Sequence, residues 1–86
     1  MNWFVYIVEC SDKTLYTGIT TNIIRRLREH NASDKLGARS LRGKRPVTLV
    51  YSETYSSRSE ALKREAAIKH WKRGYKLKLI AGQAKV

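Results

Sequence analysis

Hydrophobic residues form three short runs that predict β-strands. The run "WFVYIVEC" at residues 3–10 is continuously apolar and rich in β-branched residues, which indicates a strand buried on both faces. The polar stretch "SDKT" follows it, and "TLYTGIT" predicts the returning strand of a hairpin. After Pro46, "VTLVYSETY" predicts a third strand. The three strands together indicate a small, mainly antiparallel sheet.

Helical periodicity follows the hairpin. The pattern predicts a first helix from Asn22 to about Ala32, with Thr20 or Thr21 as the residue that caps its N-terminus. The loop after it runs to Pro46, and its glycines and charges end the periodic pattern.

A second helix follows the third strand. Ser57 and Glu60 have the S-x-x-E spacing of a capping box, which predicts a helix that runs to about Arg73 and is stopped by Gly74. The last segment, "YKLKLIAGQAKV", alternates like a strand but also has apolar residues on one helical face. We favour a short helix with a frayed end.

This order of elements, β-β-α-β-α-α, predicts an α+β fold with a three-stranded sheet packed against helices. A length of 86 residues provides for one small core. We therefore expect a single domain at residues 1–82, followed by a frayed tail at 83–86.

The composition is strongly basic. Lys and Arg number 18 against 7 acidic residues, giving a net charge of +11, which predicts binding to nucleic acid before an anionic membrane surface. No apolar run reaches the roughly 20 residues of a membrane-spanning helix, and the start lacks the features of a signal peptide. We therefore expect a cytoplasmic location without membrane contact. One cysteine and two histidines exclude an internal disulfide and a structural zinc site.

The first helix carries two adjacent arginines that face different ways. On a helical wheel, three apolar residues form the stripe expected to face the sheet: Ile23, Ile24 and Leu27. Arg26 and His30 lie on the shoulder of that stripe, whereas Arg25 points to solvent. Each residue also has a structural role as the alternative to a functional one. The aliphatic part of Arg26 would cover the edge of the core, and His30 would stabilise the end of the helix.

The second helix places Glu65 within its apolar arc, whereas Glu60 lies on the solvent side. A carboxylate that faces a core needs a partner. One possible partner of Glu65 is Lys69, one turn further along the helix. The other is a divalent cation such as Mg²⁺, which is commonly held by one or two carboxylates together with water and phosphate.

The strands contribute Tyr6 and Tyr16, each of which alone is more typical of an aromatic that packs on a sheet. Gly18 shares the strand face of Tyr16, and a glycine within a strand often marks the close approach of another backbone or a ligand. The loop after the first helix carries five basic residues that are expected to bind backbone phosphates without reading sequence. These are Lys35, Arg39, Arg42, Lys44 and Arg45.

The chain resembles the GIY-YIG nuclease family. The two tripeptides of the family's name correspond here to "FVY" at residues 4–6 and "YTG" at residues 16–18. Arg26, ten residues after Tyr16, matches the family's arginine, and Glu65 in "KREAAIK" matches its metal-binding glutamate. The resemblance covers residues 3–80 and is strongest to the small stand-alone bacterial (YhbQ-like) members. Two positions depart from the pattern: Phe4 replaces a glycine, and the family's asparagine has no counterpart, with Lys72 or Lys76 as its substitute.

The resemblance implies a metal-dependent nuclease that acts on DNA rather than RNA, in structured or damaged form. Glu65 would hold one Mg²⁺ or Mn²⁺ ion, and Arg26 would bind the phosphate. Tyr16, with Tyr6, would orient or deprotonate the attacking water. Because a tyrosine is a weak base at neutral pH, His30 is the candidate relay. The alternative is a nucleic-acid-binding module with the same fold and little or no catalysis.

Overall fold

The computed structural model describes residues 1–33 and 35–83, with the side chain of residue 83 left aside. It contains three strands, β1, β2 and β3, and three helices, α1, α2 and α3, in the predicted order. Their bounds are β1 Trp3–Glu9, β2 Leu15–Thr20, α1 Ile23–Ala32, β3 Thr48–Tyr55, α2 Arg58–Lys69 and α3 Arg73–Gln83, with a 3-10 turn at Arg39–Leu41. The sheet order is β2-β1-β3, and both pairings are antiparallel. The predicted α+β fold is confirmed.

Strand β1 is the centre of the molecule, because both of its faces are covered. Tyr6 and Val8 point to one face, where they pack with Leu41 and Val47 beside α1. Val5 and Ile7 point to the other face. There they pack with Ala61 and Ile68 of α2. All four of these β1 side chains are buried, as the continuous apolar run predicts.

Helix α1 begins one residue later than predicted, and its cap is different. Asn22 is the N-cap, and its side-chain oxygen accepts a hydrogen bond of 3.0 Å from the backbone N–H of Arg25. The predicted apolar stripe is also too wide, since Ile24 is 66% exposed while Leu27 is half-buried and packs on the core. A ten-residue helix on a three-stranded sheet buries only a narrow face, and Ile24 lies at its outer margin.

Helix α2 begins as predicted, with the Ser57 hydroxyl accepting a bond of 3.3 Å from the N–H of Glu60. The prediction that Gly74 ends this helix is wrong: α2 ends at Lys69, and Gly74 lies inside α3. Trp71 packs against the Val5 and Ile7 face, and the chain turns at this residue between the two helices. The C-terminal segment is helical to residue 83, and the remainder of the predicted tail lies outside the described residues.

Glu53 of β3 ties α2 to the sheet, a link that the sequence pattern did not reveal. Its carboxylate accepts two hydrogen bonds of 2.9 Å from the Arg64 guanidinium and one from each of the hydroxyls of Tyr51 and Tyr55. Burial opposes ionisation of Glu53, but these bonds outweigh it and hold its pKa below the usual value. The pair fixes the position of the helix that carries Glu65.

None of the helices in the described part of the chain has the length and apolar character needed to cross a membrane.

Candidate active site

Three aromatic side chains meet on the α1 face of the sheet. Tyr6 of β1 and Tyr16 of β2 point to the same face, and their ring centroids are 6.4 Å apart. His30 of α1 lies against both, with centroid distances of 6.0 Å to Tyr6 and 5.5 Å to Tyr16. The hairpin register brings the tyrosines together, since Val8 pairs with Tyr16 and Tyr6 pairs with Gly18.

Gly18 leaves the space that the Tyr6 side chain occupies. A Cβ atom added at Gly18 would lie 2.6 Å from the Tyr6 hydroxyl oxygen and 2.8 Å from its Cζ atom. The close approach predicted at this glycine is therefore present. The approaching group is the Tyr6 side chain, whereas the sequence pattern suggested a backbone or a ligand.

His30 is fully buried, and its two ring nitrogens have different partners. The backbone N–H of Ala38 donates to Nδ1 at 3.1 Å, and Nε2 lies 2.8 Å from the Tyr6 hydroxyl oxygen. Burial, followed by the charge of Arg26, lowers the pKa of His30 to about 4, so the ring is neutral at pH 7. Because Nδ1 accepts a bond, the single ring proton resides on Nε2 and is donated to Tyr6.

The Tyr6 hydroxyl oxygen accepts a hydrogen bond from His30, and the hydroxyl keeps its own proton. Burial, followed by repulsion from Tyr16, raises the pKa of Tyr6 to about 12, although Arg26 opposes the shift. Tyr6 therefore keeps its proton at neutral pH. Since its oxygen accepts from His30, its own hydrogen is available for another acceptor. His30 fits a positioning role for Tyr6 better than the relay role that the sequence suggested, because the nitrogen facing Tyr6 already carries a proton.

Arg26 lies beside this cluster and is held in place by two neighbours. Its Nη1 atom donates to Glu29 Oε1 at 2.9 Å and to the backbone carbonyl of Leu36. Burial opposes its charge, but hydrogen bonds to Glu29 and Tyr6 keep the pKa of Arg26 above the usual value. Arg25 is exposed, so the predicted division between the adjacent arginines is confirmed.

Residues 36–38, just after α1, position both Arg26 and His30 and were missed at the level of the sequence. Leu36 offers its carbonyl to Arg26, and Ala38 offers its N–H to His30. Between them, a Cβ atom at Gly37 would lie 2.7 Å from the Glu29 carbonyl oxygen, so a glycine is needed for this segment to pack against the helix end. In the sequence, Gly37 shortly after the first helix was the feature that could have indicated this close packing.

Glu65 lies on α2, and its side chain is 17% exposed. Its carboxylate is 3.7 Å from the Lys69 ammonium, so the ion pair considered from the sequence is present. Because Lys69 is half exposed, the pair contributes little stability. The negative charge of Glu65 also contributes to the raised pKa of Tyr6, which links the helix to the aromatic cluster.

The donor set fits a cation that takes most of its ligands from outside the protein. Residues 1–33 and 35–83 contain no group of three or more His, Cys, Asp or Glu side chains able to surround a metal. Mg²⁺ commonly binds one or two carboxylates and completes its octahedron with water and substrate phosphate. Glu65 is compatible with that mode of binding.

The five basic loop residues divide into two groups. Arg45 donates to the His30 carbonyl at 2.7 Å and to the Ser33 carbonyl at 3.1 Å. Its guanidinium therefore binds backbone carbonyls at the C-terminal end of α1. The ammonium of Lys44 lies 3.7 Å from the Asp12 carboxylate. The remaining three, Lys35, Arg39 and Arg42, are exposed. Binding of phosphate by all five stays a prediction. Lys35, Arg39 and Arg42 are better placed for it, because they are exposed.

Residues 2–78 match the GIY-YIG catalytic domain. The match covers most of the chain, and the protein belongs to the GIY-YIG family. The resemblance inferred from the tyrosines, the arginine and the glutamate is thereby confirmed.

Several UPF0213 relatives place the chain in the small single-domain group. A UPF0213 protein of Desulfotalea psychrophila is 70% identical over 67 residues, which span 78% of this chain and 60% of that protein. A UPF0213 protein of Syntrophus aciditrophicus is 58% identical over 77 residues, spanning 90% of this chain and 87% of that protein.

Two solved structures share the fold. The solution structure of a UPF0213 protein from Bacillus halodurans has a TM-score of 0.60 and 43% identity, covering 94% of this chain and 84% of that one. The solution structure of a protein from E. faecalis has a TM-score of 0.68 and 34% identity, covering 100% of this chain and 90% of that one.

Proposed function

We propose that this protein is a metal-dependent nuclease that hydrolyses phosphodiester bonds in structured or damaged DNA. One observation carries the proposal. Tyr6, Tyr16 and His30 meet in one cluster of rings, and the guanidinium of Arg26 forms a hydrogen bond to the Tyr6 hydroxyl in that cluster. A cation-binding carboxylate, a phosphate-binding guanidinium and a proton-donating hydroxyl are the groups that phosphodiester hydrolysis requires at one place.

Arg26 is the group that would bind the scissile phosphate. A guanidinium presents five N–H donors in a planar fork, and it binds phosphate oxygens in pairs. Glu29 and Leu36 fix one edge of this fork through Nη1, which limits the rotation of the side chain. The positive charge would then stabilise the negative charge that develops on the phosphoryl oxygens.

The two tyrosines would have separate tasks. Tyr6 is a donor, because His30 donates to its oxygen and its pKa is about 12, so it would bind a phosphate oxygen or a water. Tyr16 would orient or deprotonate the attacking water. It lies in ring contact with both Tyr6 and His30, which fixes its position relative to them.

A divalent cation, when bound at Glu65, would neutralise charge on the leaving oxygen. Arg26 would orient the phosphate, and Tyr16 would orient the attacking water. Lys69 would move away from Glu65 when the cation binds, because its ammonium is half exposed and only weakly held. Whether Lys72 or Lys76 takes the role of the family's asparagine stays a prediction.

A second candidate is a nucleic-acid-binding module without catalysis. The observation that favours it is the state of Arg26, whose Nη1 already binds a carboxylate and a carbonyl. If these bonds persist when nucleic acid binds, the guanidinium contacts phosphate through fewer donors.

Cleavage assays on matched variants distinguish the two candidates. Purified protein with Mg²⁺ or Mn²⁺ is incubated with single-stranded, branched and damaged DNA and with the corresponding RNA. We expect nicking of DNA, and a loss of about 100-fold or more in Glu65→Gln and Arg26→Ala, typical of removing a group that stabilises the transition state. The controls are Glu60→Gln and Arg25→Ala, which change the same residue types at exposed positions of the same helices.

The outcomes separate clearly. Undiminished cleavage in both site variants would assign the activity to another site or a contaminant. Binding by the wild-type protein with no cleavage of any substrate would favour the binding module.

A further inference from the structure

An aromatic groove lies on the opposite face of the sheet from Tyr6. It is lined by Trp71, Tyr75, Lys78 and Leu79, and it has a volume of about 460 Å³. Trp71 and Leu79 form its floor, because both also pack against the buried Val5 and Ile7 cluster. Tyr75 is 60% exposed. An exposed aromatic of this kind presents ring surface to a ligand.

The part of the sequence that forms the groove has one sign of charge. Glu65 is the last acidic residue in the sequence, and the 21 residues that follow it contain no Asp or Glu. Lys78 lines the groove, and four more basic residues of the same described stretch complete what is here called the basic rim: Lys69, Lys72, Arg73 and Lys76. The ammonium of Lys78 lies 5.6 Å from the centre of the Tyr75 ring. Aromatic surface and cations are therefore adjacent.

We propose that this groove binds a single-stranded segment of nucleic acid, with an unpaired base stacked on Tyr75 and Trp71 and the flanking phosphates bound by the basic rim. Proteins that bind single strands combine these two elements, a stacking surface and a cationic path for the backbone. Bases in a duplex are already stacked on both faces, so the ring of Tyr75 selects an unpaired base. The volume lies within the range of small-ligand sites.

Charge argues against a second copy of the chain as the occupant. Two molecules that each carry +11 would bring two basic rims together, which opposes association. Nucleic acid has the complementary charge. The inference is independent of cleavage, because none of the four residues that line the groove belongs to the Tyr6, Arg26 and Glu65 site and binding requires no metal.

The test is a binding titration without divalent metal. A labelled oligomer of ten thymidines is titrated with full-length protein in EDTA, and the dissociation constant is obtained from fluorescence anisotropy. We expect Tyr75→Ala to weaken binding about tenfold, within the range measured when a stacking aromatic is removed. Tyr75→Phe keeps the ring and should bind within twofold of the wild type. The matched control is Leu77→Ala, a change at an exposed apolar residue of α3 that does not line the groove.

A second measurement reports stacking directly. The chain has two tryptophans, and Trp3→Phe leaves Trp71 as the only one. Titration with the thymidine oligomer should quench the emission of this variant. Heparin, which has charge but no bases, should bind Tyr75→Ala as tightly as the wild type.

Three results would overturn the inference. One is equal binding by Tyr75→Ala and Leu77→Ala, and another is an equal loss of heparin binding in Tyr75→Ala. The third is concentration-dependent dimerisation of the wild type that disappears in Tyr75→Ala, which would assign the groove to a second copy. Because EDTA prevents metal-dependent cleavage, the result stands apart from that of the nicking assay.

Discussion

Substitution of Gly18 by alanine tests how the fold positions Tyr6. The added methyl group would lie 2.6 Å from the Tyr6 hydroxyl oxygen, 2.8 Å from its Cζ atom and 3.1 Å from Cε2 of Tyr16. The Tyr6 oxygen must retreat by about 0.8 Å to restore an ordinary contact of 3.4 Å. Tyr6 is 2% exposed, so the ring has little room to move.

The expected cost has two parts. Forcing an extra methyl group into packed surroundings costs about 1–3 kcal/mol. Displacement of the hydroxyl also breaks the 2.8 Å bond to His30, which contributes about 1 kcal/mol. We therefore expect Gly18→Ala to lower the free energy of unfolding by roughly 2–4 kcal/mol, which in a domain of this size lowers the melting temperature by about 8–30 °C.

Thermal unfolding followed by circular dichroism measures the effect, and Gly74→Ala is the matched control. Nothing lies within 4 Å of a Cβ atom added at Gly74, which is inside α3. Alanine in a helix is favoured over glycine by up to about 1 kcal/mol, so this control should melt at or above the wild-type temperature.

A double-mutant cycle identifies the clashing group. Tyr6→Phe removes the hydroxyl that lies nearest to the added methyl, so Gly18→Ala should cost less in that background than in the wild type. Equal melting temperatures for Gly18→Ala and Gly74→Ala would refute the steric argument. Strict additivity in the cycle would show that the hydroxyl is not the group displaced.

Two further predictions concern buried polar groups. The Thr17 hydroxyl is buried without a hydrogen-bond partner among the described residues, so Thr17→Val should raise the melting temperature by a few degrees, whereas Thr20→Val, which removes a hydroxyl bonded to Asn22, should lower it. The pKa of His30 is about 4 in the folded state against an ordinary 6.5, so the unfolded chain binds the extra proton first. The His30 contribution to stability is therefore complete above pH 6.5 and falls as the pH drops towards 4, and the His30 ring proton signals in NMR spectra should stay constant from pH 8 to about 5.5. Movement of these signals near pH 6.5, or a lower melting temperature for Thr17→Val, would contradict the respective prediction.

The sequence predicted the elements well because the period of its apolar residues is set by the buried faces. The run at residues 3–10 became the central strand, and the capping box at Ser57 and Glu60 began α2. The end of α2 was predicted poorly, since Gly74 is also compatible with the first turn of a new helix. The turn instead occurs where Trp71 packs on the core, a long-range contact that has no local signal.

The candidate site was likewise predictable from the sequence only in part. The wheel separated Arg26 from Arg25 correctly, because helical geometry alone decides which side chain faces the sheet. It gave no information on the partners of His30, which are a strand residue 24 positions before it and a backbone N–H eight positions after it. The position of the ring proton depends on those partners, so the sequence alone could not choose between a relay role and a positioning role for His30, and the relay role stays a prediction.

The two charged groups of the site come from helices on opposite faces of the sheet. Arg26 belongs to α1, which packs on the Tyr6 face, whereas α2 packs on the Val5 and Ile7 face. Arg26 forms a hydrogen bond to Tyr6, whereas the charge of Glu65 contributes the smallest part of the raised pKa of Tyr6. The ion pair between Glu53 and Arg64 joins α2 to β3 and therefore helps to fix the position of Glu65 on that helix.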